Sequence, residues 1–228
     1  MKLTLLPVIA ALALSGCSFL PSGSGDRSTG TGTASTTTTS APPLSQRAGD
    51  NQCLAALGQA GARFDALPDR YIGQGCSNLN TVQMHALASD SGQLEVRNLG
   101  PVTCPVSTAF AAWARFGVDR AAQQVFGSPL ASIQTMGSFS CRNVAGTSRR
   151  SAHASADAID IGGFVLADGR RISVVDGWSG SRQEREFLRI VQQSACRRFA
   201  TVLSPDYNAA HRDHLHLEGV IAGDSFCR

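Results

Sequence analysis

The chain has 228 residues, a formal net charge of +3 at pH 7 and 43% hydrophobic residues, with 16% charged. So modest a charge argues against a nucleic-acid partner, and no internal repeat suggests a solenoid or array. The length after the N-terminal region leaves room for one domain with a sizeable core.

The chain opens with Met1-Lys2, an apolar run from Leu3 to Leu14, and the small residues Ser15 and Gly16 before Cys17. A positive start, a short apolar core and small residues before a cut predict a signal peptide over 1–16; the core is shorter than the roughly 18 residues that a membrane span needs. Leu14-Ser15-Gly16-Cys17 resembles a lipobox, in which Cys17 becomes the lipidated N-terminus and anchors the protein to a membrane. The alternative is an ordinary signal peptide cut beyond Cys17. Ser18 favours the outer membrane over the inner by resemblance to bacterial sorting rules. Residues 17–49 are rich in Gly, Ser, Thr and Pro and poor in large apolar side chains, which predicts a flexible tether. The domain then runs over 50–228.

Beyond Cys17, six cysteines remain: Cys53, Cys76, Cys104, Cys141, Cys196 and Cys227. An even number in an exported chain, without Cys-x-x-Cys spacing, predicts three disulfides of open pairing and no cysteine metal site. Each would contribute about 3 to 4 kcal/mol by restricting the unfolded chain.

In chain order, helical spacing of apolar residues predicts helices over Cys53–Phe64 and Ser107–Phe126, with Pro105 able to open the second. Ser132–Met136 reads as a strand, and Ile159–Leu166 with Arg171–Val175 as a hairpin around Asp168-Gly169. A long helix is expected over Ser181–Phe199, followed by short strands at Thr201–Leu203 and His214–Gly219. This order predicts an α+β domain with a small, mostly antiparallel sheet flanked by helices.

The residues able to do chemistry fall in two places. His153 and Asp160 lie seven apart, and Asp213-His214-Leu215-His216 comes far downstream; three of the five histidines fall within 211–216. Side chains alternate along a strand, so His214 and His216 are expected on one face, with α-carbons about 6.6 Å apart. Two histidines and a carboxylate would leave a fourth zinc position open for water, as catalysis requires. The competing readings are hydrogen-bonded core histidines and a nonspecific metal-binding tract.

Ser151-x-His153 with Asp160 seven later and a late Asp213-His214-x-His216 resembles the metallopeptidase group of lysostaphin, D-Ala-D-Ala peptidases and hedgehog. The stretches 102–105, 137–142, 158–164, 201–208 and 226–228 are similar to the bacterial extensin-like C-terminal family, over Cys76–Arg228. The resemblance implies a hedgehog- or D-Ala-D-Ala-peptidase-like fold and one zinc ion on His153, Asp160 and His216. It implies that Asp213 takes the proton of the attacking water, while His214 and Arg142 stabilise the oxyanion. The implied function is zinc-dependent hydrolysis of a peptide bond in peptidoglycan, in the cell envelope. The alternative is a non-catalytic envelope-binding module that retains the fold, as in hedgehog-type relatives, and the role of any activating partner protein is open. For Arg142 the alternative is a simple salt bridge. Two positions depart from the peptidase pattern: Ala156 stands where glycine is common, with a methyl expected to narrow the approach to the metal. Asp157 adds a carboxylate that would support a ligand or raise a neighbour's pKa. His211 is expected to be an exposed loop residue.

Overall fold

The computed structural model describes residues 48–228; the segment expected to be a signal peptide, Cys17 and nearly all of the expected tether lie outside the described residues. The elements are α1 (Ala48–Gln59), β1 (Arg63–Ala66), β2 (Arg70–Gly73), β3 (Cys76–Asn78), β4 (Thr81–Ala88), β5 (Gln93–Arg97), β6 (Val102–Thr103) and α2 (Cys104–Trp113). A π-helical turn, Ala114–Asp119, leads into α3 (Arg120–Phe126) and β7 (Leu130–Gly137). A 3-10 turn at Ala152–Ser155 precedes β8 (Ala158–Leu166), β9 (Arg171–Ser173), α4 (Val174–Gly177), α5 (Arg182–Ala195) and β10 (Phe199–Leu203). A second 3-10 turn, Ala209–His211, precedes β11 (Leu215–Val220) and β12 (Phe226–Cys227).

The expected α+β class is observed, but the sheet is larger than the sequence suggested. It has ten strands in the order β1-β4-β5-β7-β8-β11-β10-β12, with β6 beside β4 and β9 beside β8. All pairs are antiparallel except β5–β7 and β10–β12. A separate hairpin joins β2 to β3. Three boundaries differ from the periodicity. Phe64 lies in β1 because the first helix ends at Gln59 and the chain turns through Gly61 at φ +77°. Val174 and Val175 are helical, because the Ser173 hydroxyl caps the N–H of Asp176. Phe199 opens β10, its ring fully buried, and α5 has ended at Ala195.

Helix α5 shows how local chemistry sets an element. Ser181 and Glu184 form a reciprocal capping box, and Phe187, Leu188 and Val191 bury one stripe. That stripe meets Trp113 and Phe110 in a core shared with Ile133, Ile159, Ile161, Phe164, Leu215 and Leu217 of the sheet. The indole N–H of Trp113 donates to the Val191 carbonyl at 3.0 Å. Close approach there depends on Gly117: a β-carbon at that position would overlap Ser194 Oγ and lie 2.9 Å from Ser194 Cβ and 3.0 Å from Trp113 Cδ1. Gly117→Ala is therefore expected to lower stability by about 2 kcal/mol in denaturant unfolding, overpacking outweighing the helical gain from alanine. An unchanged midpoint would show that α5 can shift away freely.

Three disulfides form, joining Cys53 to Cys104, Cys76 to Cys141 and Cys196 to Cys227. The second ties the β2–β3 hairpin to the loop after β7 that carries Arg142 and leads to His153. Arg150 reinforces the brace, donating to Gln74 O at 2.6 Å and to Asn143 Oδ1 at 2.9 Å. Among the described residues, no helix is long and apolar enough to cross a membrane.

Candidate metal centre

Strand alternation puts the candidate site on the sheet face opposite the helices. Asp160 alternates with the buried Ile159 and Ile161, and His216 with the buried Leu215 and Leu217, so both point away from the core. The register makes His216 and Asp160 directly opposed across β11 and β8, a spacing at which cross-strand side chains touch. His153 arrives from the 3-10 turn before β8. The Ser151 hydroxyl caps that turn by accepting the His153 N–H, which gives the serine of the Ser-x-His pattern a local structural role. Ala156 ends the turn in the left-handed region at φ +56°. That region favours glycine, so the demand on the residue at 156 is conformational.

His153 is 3% exposed and Asp160 14%. His153 Nε2 lies 3.2 Å from His216 Nδ1 and 3.2 Å from Asp160 Oδ2, and His216 Nδ1 lies 2.9 Å from Asp160 Oδ1. The outward nitrogens fix the protons. His153 Nδ1–H donates to the Ser138 carbonyl at 2.7 Å, and His216 Nε2–H donates to Glu218 Oε2 at 3.1 Å. Both inward nitrogens are then left with lone pairs facing a carboxylate. Three acceptors without an intervening proton repel, and a cation or a shared proton resolves the conflict. Ligand atoms on a tetrahedral zinc with bonds near 2.05 Å are about 3.3 Å apart, so the donor set and its spacing fit that ion. These three residues are close enough to share one metal ion.

In the metal-free protein a proton occupies this place. Burial opposes charge on His216, but its hydrogen bonds to Asp160 and Glu218 outweigh it and push the imidazole up to about 9. Asp160 is held well below the usual carboxylate range; burial works against this, and the bonds to His153 and His216 prevail. A raised histidine stabilises the fold fully below the unfolded value of about 6.5, and that contribution is lost as pH rises through about 9. Zinc must displace the same proton, so zinc affinity is expected to rise about tenfold per pH unit between pH 6 and 8. Zinc titrations at the two pH values check this; a pH-independent affinity contradicts it.

His214 precedes β11. Its Nδ1–H donates to Asp213 Oδ1 at 2.9 Å, and its Nε2 lies 3.5 Å from Asp160 Oδ1. Hydrogen bonding to His214 holds the Asp213 carboxyl below its ordinary value. Asp213 thus meets the triangle through His214. Arg142 is exposed in the loop after Cys141, and its side chain makes no hydrogen bond or ion pair among the described residues. The salt-bridge reading does not hold, and the arginine's charge is felt at His211.

Two expectations change. His211 is a half-buried wall of the site, its ring centroid 5.2 Å from that of His214 and 5.9 Å from that of His216. Burial, and then the neighbouring imidazoles, push it down to about 4, so it is neutral at working pH. Asp157 does not reach the triangle: its Oδ1 accepts the Thr103 hydroxyl at 2.9 Å. Burial first and the nearby Glu218 second raise its own pKa against that bond. The sequence reading missed Glu218 as the partner of His216, although two-residue alternation from His216 would have found it. Ser138 was also missed; it acts through its carbonyl, which leaves no side-chain signature.

Fold and site together define a disulfide-stapled α+β domain with a His–Asp–His cluster on the helix-free face of its sheet. The family model for the extensin-like protein C-terminus matches residues 51–228, and the chain belongs to that family. The match extends the resemblance to include α1 and its disulfide. No curated protein and no solved structure matches the chain.

Proposed function

We propose that the protein is a zinc-dependent peptidase that hydrolyses a peptide bond in peptidoglycan, held in the bacterial cell envelope by a lipid on Cys17. The observation that carries the reading is the triangle of lone pairs from His153, Asp160 and His216, with the Nε2 of His214 beside it and Asp213 behind. A purely structural zinc has no use for an adjacent proton acceptor held by its own carboxylate.

Bound to the triangle, zinc would activate a water molecule and polarise the scissile carbonyl. His214 Nε2 takes up the proton of the attacking water, and Asp213 stabilises the resulting imidazolium through the Nδ1 bond. The same nitrogen then returns the proton to the leaving amine. Arg142, without an internal partner, supplies positive charge to the developing oxyanion. This divides the labour differently from the resemblance, which gives the proton directly to Asp213. Glu218 and the Ser138 carbonyl hold the two imidazoles in their metal-binding tautomers.

The test is incubation of the protein with purified peptidoglycan and mass spectrometry of the released fragments. Cleavage that is abolished by a chelator and restored by zinc is the expected result. Bound zinc with no fragments would favour a non-catalytic envelope-binding module.

A further inference from the structure

His211 stands beside the triangle with an atom that the proposed mechanism leaves unused. Asn208 caps the 3-10 turn that ends in this histidine, and its Oδ1 accepts the Ala210 N–H at 3.0 Å and faces His211 Nδ1 at 2.7 Å. An oxygen already accepting a backbone amide has no proton to give, so the imidazole proton is on Nδ1 and Nε2 carries a lone pair. No described residue donates to that lone pair. The ring is nevertheless firmly held, with Tyr207 against it at a centroid distance of 5.5 Å. Tyr207 is 43% exposed and meets the exposed Phe226 edge-on at 6.0 Å. An aromatic wall therefore runs from His214 and His216 out to solvent, with one oriented, unpartnered acceptor built into it.

A half-buried acceptor with no internal partner is matched to a donor that arrives from solvent. A carboxylate or carbonyl has no proton to offer, and an ammonium group would meet the positive charge of Arg142. The donor is therefore a neutral N–H or O–H. We propose that His211 is a substrate-binding residue whose Nε2 accepts a hydrogen bond from a backbone amide N–H beside the scissile bond, the peptide lying against Tyr207. This inference rests on the peptidase reading for the class of its ligand.

The test measures binding in place of turnover, by calorimetry on the zinc-loaded full-length protein carrying Asp213→Asn. The probes are a synthetic peptidoglycan stem peptide and glycan strands stripped of peptide. Adding His211→Leu is expected to weaken stem-peptide binding about tenfold, while His211→Gln, which keeps an acceptor, stays within about threefold. Zinc content measured in parallel separates this loss from a damaged metal centre. Equal binding by the leucine variant overturns the proposal, as does a parent protein that binds only the glycan or neither probe. Failure of the wild-type protein to cleave peptidoglycan would sink the peptidase reading while leaving a His211-dependent binding difference standing.

Discussion

Asp160→Ala is expected to reduce zinc affinity by more than about 100-fold and to abolish peptidoglycan cleavage, in a domain that still folds. Asp160 is the one anionic member of the triangle, and it contacts both imidazoles, at 3.2 Å to His153 and 2.9 Å to His216. Without it, two neutral nitrogens remain, fewer than zinc sites ordinarily use. Its loss also leaves the buried His216 without one of its two acceptors, so the metal-free fold should weaken by about 1 to 3 kcal/mol. Because Asp160 points away from the hydrophobic core, the packing of Ile159 and Ile161 is untouched. Metal analysis and fragment release read the two effects together. Zinc retained at wild-type affinity would show that the triangle is a hydrogen-bonded cluster only.

The second large effect concerns proton transfer. His214→Ala should lower the cleavage rate by about 10² to 10⁴-fold while zinc stays bound, since His214 is not one of the three ligands. Asp213→Ala should cost nearly as much, because it acts through the 2.9 Å bond to His214 Nδ1. The double variant should then be little worse than either alone, as expected for residues that work as a unit. Steady-state rates on purified peptidoglycan decide the matter. A severe loss in Asp213→Ala with little change in His214→Ala would return the proton directly to Asp213.

Much of the site was legible in the sequence because strand periodicity carries direction. Asp160 opens one apolar strand and His216 lies in another, and the same alternation that buries Ile161 and Leu217 turns both candidate ligands to the open face. What the sequence withheld is long-range. The opposed register of Asp160 and His216, and the carbonyl of Ser138 behind His153, depend on how distant segments meet. The disulfide partners are separated by 51, 65 and 31 residues, and only tertiary packing selects among the pairings. Strands β1, β2, β3 and β6 have two to four residues each, too few for a period to emerge, whereas the eight-residue β4 and the alternating β5 carry a readable pattern that the sequence reading missed. His211 read as a loop residue because its immediate neighbours are small or polar. Its burial comes from Tyr207, His214 and His216, which the turn capped by Asn208 brings around it.

The most direct test of the metal centre is elemental analysis of the full-length, disulfide-intact protein after equilibration with zinc at pH 8 and removal of the free ion. One zinc per chain, lost in Asp160→Ala, is the predicted result. A folded protein that retains no zinc would contradict the metal centre and the hydrolytic mechanism built on it.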